Sequence, residues 1–203
     1  MLTGQIDPRD LQEVWFMDRP QVDLETALQQ ASEANLIAEF LRNLRPPHAG
    51  YAGLQEALTA YRDILARGGW PVIPDGPKLQ RGDHGPRVAA LRNRLLLTSD
   101  LGEASTPVAD LFDAMLEQGV QRFQERHGLN ADGVVGPSTL AALNVSAEVR
   151  VRQIELNMER WRWLPQTLGD RYILVNVANF ALDVVEHGQS VLAMRVVVGK
   201  PAR

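Results

Sequence analysis

Apolar residues in the first third of the chain recur at helical spacing. Leu24, Leu28, Ala31, Ile37, Leu41 and Leu44 fall on one stripe, and Pro46-Pro47 closes the run. A second helix is predicted from about Tyr51, with Leu54, Leu58, Tyr61 and Leu65 on one face and Gly68-Gly69 as its stop. Residues 70–77 then hold three prolines in eight positions, which predicts a stiff, extended linker and a first boundary.

The pattern resumes after Lys78. Asp83 is a candidate helix cap, Pro86 suits a first turn, and Val88, Leu91 and Leu95 share a face. After a polar loop over residues 98–107, a helix is predicted from about Val108 to His127. It carries Phe112, Leu116, Val120, Phe123 and His127 in register, and Gly128 stops it. Asp132-Gly133 signals a turn, Val134-Val135 a short extended piece, and Gly136-Pro137 the start of a short helix carrying Leu140 and Leu143. Residues 146–164 form a connecting helix with Val151, Ile154, Met158 and Trp161 on one stripe.

Beyond Pro165 the period changes from helix to strand. Residues 172–177, 180–186 and 191–198 are rich in β-branched and apolar side chains, and His187-Gly188-Gln189 is placed as a hairpin turn. Two or three strands do not make an independently stable sheet, so this β segment is expected to be cut off from the rest of its domain. The fold class expected is mainly α with a truncated β segment, α+β overall. The division is a helical scaffold over 1–77, a three-helix module over 78–145, a connecting helix over 146–168, and first strands over 169–203.

Composition changes this picture little. The 203 residues are 45% hydrophobic and 23% charged, with a formal net charge of −4, which offers no electrostatic reason to expect nucleic acid or an anionic membrane. The absence of cysteine excludes disulfides, thiolate zinc sites and a cysteine nucleophile within these residues. The N-terminus lacks the basic start and apolar run of a signal peptide, and no stretch of ~18 apolar residues occurs.

Catalytic signatures are missing as well. There is no Gly-x-Ser-x-Gly, and His48, His84, His127 and His187 lie too far apart in sequence for His-x-x-x-His ligation. His127 reads as a helix-end residue where a cation suits the dipole, and His187 as a turn residue. No metal and no cofactor are expected.

Residues 79–144 carry a denser pattern. Leu79-x-x-Gly82-Asp83 leads to Val88-x-x-Leu91-Arg92-x-Arg94-Leu95, then to Val120-x-x-Phe123-Gln124-x-x-His127-Gly128-Leu129, and finally to Asp132-Gly133-Val134-Val135-Gly136-Pro137-x-Thr139-Leu140-x-x-Leu143-Asn144. This resembles the type 1 peptidoglycan-binding domain, a three-helix module of cell-wall enzymes. The resemblance implies a core of Leu91, Leu95, Phe123, Leu129, Leu140 and Leu143. One departure is Arg92, which stands where many such modules carry glutamine.

The flanks are similar to the large L,D-transpeptidases of Gram-negative bacteria. Pro46-x-His48-x-x-Tyr51 and Gly68-Gly69-Trp70-Pro71 resemble their helical scaffold. Arg150, Asn157 and Glu159-Arg160-Trp161-Arg162-Trp163-Leu164-Pro165 resemble their connecting helix. Residues 172–177, Phe180-x-Leu182 and 194–201 resemble the first strands of their catalytic domain. The family's histidine and Ser-x-Gly-Cys signature is not in this chain, so no residue here inherits a catalytic role.

The resemblance implies a periplasmic wall enzyme that cross-links peptide stems, with these residues supplying docking to peptidoglycan and no activity alone. Two alternatives stay open: a non-enzymatic peptidoglycan-binding adaptor, and the binding module of an amidase or muramidase. Candidate ligand-binding residues are Arg92, Phe123, Gln124, His127 and Asp132. For Phe123 the plainer reading is core and for Asp132 a turn, whereas Arg92 and Gln124 are expected to face solvent. Trp161 and Trp163 read as packing anchors in preference to sugar-stacking residues.

Overall fold

The periodicities in the sequence become seven α-helices and three strands in the computed structural model, which describes residues 4–11, 23–102, 109–177, 180–197 and 199. The helices are α1 (Leu24–Glu33), α2 (Ile37–Asn43), α3 (Ala49–Ala66), α4 (Pro86–Leu97), α5 (Ala114–Arg126), α6 (Pro137–Leu143) and α7 (Ala147–Trp161). The strands β1 (Arg171–Asn176), β2 (Ala181–Glu186) and β3 (Gln189–Arg195) form one antiparallel sheet in that order. The protein is thus mainly helical with a small β segment. Its contacts divide into two units, one of residues 1–59 with 152–203 and one of residues 60–151.

Several local differences from the sequence expectation have plain causes. The first helical stripe is split, because Asn35 adopts a left-handed conformation (φ 56°) between α1 and α2. Asp23 caps α1 through Thr26 N. In α3 it is Ile64, 5% exposed, that turns inward, while Leu65 faces solvent. Asp83 does not cap α4. Its carboxylate accepts from Gln80 N at 2.8 Å, and Gly85 stands at the cap with Pro86 in the first turn. The helix expected from Val108 starts at Ala114, where Asp113 accepts from Leu116 N; Val108 itself lies outside the described residues. Phe112 therefore precedes the helix. It exchanges backbone hydrogen bonds with the 82–83 turn, its N–H donating to Asp83 O at 2.8 Å and its carbonyl accepting from Gly82 N at 2.9 Å.

The unit of residues 60–151 owns the main core. Ile73, Leu79, Val88, Leu91, Leu95, Leu101, Phe112, Leu116, Val120, Phe123, Val135, Leu140 and Leu143 pack together, with Leu129 partly buried against them. Every core residue implied by the resemblance is in this cluster or against it. Arg94, 1% exposed, lies across the Trp70 ring with Cζ 3.6 Å from its centroid, and donates to Leu143 O and Thr98 Oγ1. Burial lowers its pKa to about 10, so it stays a cation.

In the other unit, the end of α7 holds the first described residues. The Glu159 carboxylate accepts from the backbone N–H groups of Gln5 and Ile6, and from Arg162 Nη1 at 3.1 Å. Arg162 Nη2 donates to Tyr51 Oη at 2.9 Å, and the Trp161 ring packs 5.3 Å from His48. Trp161 is a packing anchor in this arrangement.

In the sheet, His187 (φ 49°) and Gly188 (φ 76°) make a two-residue turn of mirror-image type, so Gln189 belongs to β3 and pairs with Glu186. The β3 strand ends at Arg195, not Val198, which lies outside the described residues. Register places Ile173, Val184 and Leu192 in one row and Val175, Leu182 and Met194 in the next. Alternation puts all six on one face, and Ile173, Val175, Leu192 and Met194 are 45% or more exposed.

Leu91 has no solvent exposure, and its truncation to Ala is expected to destabilise the 60–151 unit by about 3 kcal/mol. Leu65→Ala, on the solvent side of α3, is expected to cost less than about 1 kcal/mol. Urea denaturation followed by circular dichroism checks the contrast; equal costs would contradict this core assignment.

Candidate functional site

Four of the five sequence candidates meet in pairs, Gln124 with Asp132 and Phe123 with His127, and none of the five lines the cavity beside α6. Arg92, expected at the surface, is 5% exposed because its guanidinium is consumed internally. Nε donates to Ala109 O at 3.1 Å, and Nη2 donates to Leu111 O at 2.7 Å and to the Asp113 carboxylate at 3.0 Å. It fastens the segment before α5 to α4, a reach and a fork that glutamine lacks.

Gln124 is also buried, at 1% exposure, which corrects the expectation that it faces solvent. The two N–H groups of its Nε2 are shared among Asp132 Oδ1 (2.9 Å), Val134 O (3.0 Å) and Thr139 Oγ1 (3.1 Å), and its Oε1 accepts from Gly133 N at 2.9 Å. The amide thus organises the 132–139 turn from inside. Gly133 has φ 74°, and a Cβ there would meet Glu117 Cγ at 2.8 Å, so the position requires glycine. Asp132, exposed, also accepts from Val134 N at 2.9 Å. These backbone and amide donors hold its pKa below the ordinary carboxylate value.

Phe123 is fully buried and stacks on the His127 ring at 3.9 Å. His127 occupies the C-cap of α5, with Nδ1 donating to Phe123 O at 2.8 Å. Burial pushes its pKa down to about 4, against the pull of that carbonyl, with Arg126 and Arg150 adding to the fall. It is therefore neutral near pH 7, in contrast to the cation anticipated at this helix end.

A concave surface does exist in the same unit, and it is built from the proline-rich stretch. A cavity of about 280 Å³ is lined by Asp75, Gly76, Lys78, Val135, Gly136, Pro137, Leu140, Ala141 and Asn144. Residues 73–79 form no helix or regular strand, but they are not free. Ile73 is a core residue, and its N–H and C=O pair with the Asn144 side chain at 2.9 and 3.0 Å. Arg87 donates to Pro74 O and Pro77 O, both at 2.8 Å, and lies so close beneath Gly76 that a Cβ there would stand 2.7 Å from Nη1. Leu79 and Val135 exchange backbone hydrogen bonds at 3.2 and 2.8 Å.

Three fastenings therefore hold the strap, and the cavity opens between it and α6. Asp75 and Lys78 sit exposed on its rim, and neither has an ion pair or side-chain hydrogen bond among the described residues. Sequence reasoning missed Asp75 by treating residues 70–77 as a linker, and took Lys78 only as the start of the next unit. The available signal was an opposite-charge pair three positions apart, each member directly preceded by a proline, Pro74 or Pro77.

Other chemistry is sparse. Among the described residues no group of three or more His, Cys, Asp or Glu is placed to hold a metal ion, and no helix is long and apolar enough to cross a membrane.

Residues 1–58 match the family described as Scaffold domain, and residues 84–143 the family described as Putative peptidoglycan binding domain. Two successive stretches of the chain are thus similar to a scaffold domain and to a peptidoglycan-binding domain. The N-acetylmuramoyl-L-alanine amidase CwlM of Mycobacterium tuberculosis is 37% identical over 80 residues, covering 36% of this chain and 20% of the amidase. A crystal structure of the L,D-transpeptidase from Xylanimonas cellulosilytica is 29% identical, covering 60% of this chain and 52% of that one, with a TM-score of 0.29, too low to bear on the fold. The chain thus spans about a fifth of the amidase and about half of the transpeptidase chain.

The His127 environment generates a pH signature. Between pH 6.5 and 4 an unfolded chain takes up a proton that folded His127 refuses, so stability falls as pH drops through that window and levels off below it. The loss is expected to reach about 3 kcal/mol at most, with further loss at lower pH as Asp132 is protonated. Urea titrations at several pH values, on this chain and on His127→Phe, check it. The variant should lose the slope between pH 6.5 and 4, and an unchanged slope would contradict the assignment.

Proposed function

We propose that this chain is the peptidoglycan-docking portion of an exported L,D-transpeptidase, which brings wall peptide stems to a cysteine nucleophile outside these residues. The observation that carries the docking role is the folded three-helix module, matched over residues 84–143, with a preorganised cavity on its surface. Support for the transpeptidase comes from the Glu159–Pro165 motif on the connecting helix and from the strands that follow. The exposed apolar face of the β1–β3 sheet suits a sheet that packs within a larger β domain. On this reading the chain divides into scaffold (1–77), module (78–145), connecting helix (146–168) and first catalytic strands (169–203). Its place of action is the periplasm, where the wall polymer lies.

A second reading is favoured by one observation, the 37% identity to an amidase over 80 residues. In that reading the module serves hydrolysis of the bond between glycan and stem. The coding DNA past codon 203 separates the two: a histidine and Ser-x-Gly-Cys motif supports the transpeptidase, and its absence removes that reading.

Co-sedimentation with purified sacculi tests the docking role, and the chain is expected in the pellet fraction. Mass spectrometry after incubation with a carbapenem is expected to show no acyl adduct, because the chain has no cysteine. Failure to sediment would overturn the docking role, and an adduct would overturn the assignment of the nucleophile elsewhere.

A further inference from the structure

The peptidoglycan reading leaves open which part of the polymer the module grips, the sugar chain or the peptide. Sugars are commonly held by apolar stacking on exposed aromatic rings. The 60–151 unit has four aromatic residues of the Phe, Tyr and Trp type, three of them buried and Tyr61 half-buried. Phe112 and Phe123 have no exposure, and Trp70 is 9% exposed beneath Arg94. Tyr61 packs edge-on against Trp70 and its hydroxyl is held by Arg126 Nη1 at 3.0 Å. No Phe, Tyr or Trp ring of this unit is fully exposed, and each of them packs within it.

The cavity beside the strap offers a different chemistry. Its walls are aliphatic, from Val135, Pro137, Leu140 and Ala141. Its rim carries one anion and one cation, Asp75 and Lys78, both unpaired and both fixed on backbone that Arg87 clamps at Pro74 and Pro77. At about 280 Å³ it holds the room of roughly nine waters at ~30 Å³ each, at the small end of ligand pockets. That space suits the end of one amino-acid chain.

Resting on the peptidoglycan reading, we infer that this cavity is a peptide-stem subsite, in which Lys78 pairs with a carboxylate and Asp75 with an ammonium at the free end of the stem. Such an end, with both charges on one residue above an aliphatic arm, is what a diaminopimelate-terminated stem presents. The aliphatic arm lies on Leu140 and Val135, and the two charges meet the rim. The strap is held before ligand arrives, so little ordering cost accompanies binding.

The test uses the whole chain, intact sacculi, and glycan strands from which the stems have been removed enzymatically. Binding to intact sacculi and not to the bare glycan is expected. Lys78→Glu and Asp75→Lys are each expected to weaken sacculus binding about tenfold. Glu125→Lys, an exposed charge change on α5 away from the cavity, controls for net charge and is expected to bind normally. Circular dichroism melts confirm that these surface variants fold. Equal binding to bare glycan, or rim variants that bind normally, would overturn the stem subsite while leaving the docking role intact. Failure of the unaltered chain to bind either polymer would overturn both.

Discussion

The buried carboxamide of Gln124 fixes the 132–139 turn on which the cavity of the module depends. A glutamine at 1% exposure in an aliphatic core is tolerable only with its hydrogen-bonding capacity satisfied, since each orphaned buried group costs about 1–3 kcal/mol. Gln124 meets that requirement by engaging Asp132, Gly133, Val134 and Thr139 together. The turn so fixed delivers Val135 to its bridge with Leu79, and the bridge sets one end of the 73–79 strap. The cavity between strap and α6 is therefore a consequence of an amide deep in the core. An apolar residue of the same size would preserve packing and release the turn.

Arginine does comparable work around this centre. Arg92 fastens residues 109–113, Arg87 fastens 74–77, and Arg94 is stacked on Trp70 while holding Leu143 O. Arg126 pairs with Asp100 at 2.6 Å. In each case a planar, permanently charged fork reaches carbonyls or carboxylates that no regular element satisfies. A three-helix module has long connections for its size, and these side chains supply the hydrogen bonds that a sheet would otherwise provide. Proline completes the arrangement in the strap, where restricted φ limits the freedom lost when the three fastenings close.

Much of the fold was legible in the sequence because helical periodicity and stop signals are local. Gly128, Pro86 and Gly136-Pro137 act where the pattern placed them, and the core residues Leu91, Leu95, Phe123, Leu140 and Leu143 all turn inward. The failures share a different cause. Asn35 breaks a continuous stripe through a backbone conformation that periodicity does not encode, and Phe112 is drawn out of its helix by pairing with a segment thirty positions earlier. Arg92 and Gln124 look like surface residues by type, and only their distant partners explain their burial. The site was least legible of all, because Asp75 lies in a stretch that reads as linker, Lys78 stands at its end, and the shape of both depends on Arg87, Asn144 and Val135.

Nuclear magnetic resonance of the isotopically labelled chain, titrated with a soluble stem fragment ending in diaminopimelate, tests the central claim most directly. Amide shifts concentrated at residues 75–79 and 135–144 are the result this account predicts. Shifts centred instead on Arg92 and the 109–113 segment, or on the β1–β3 sheet, would contradict it.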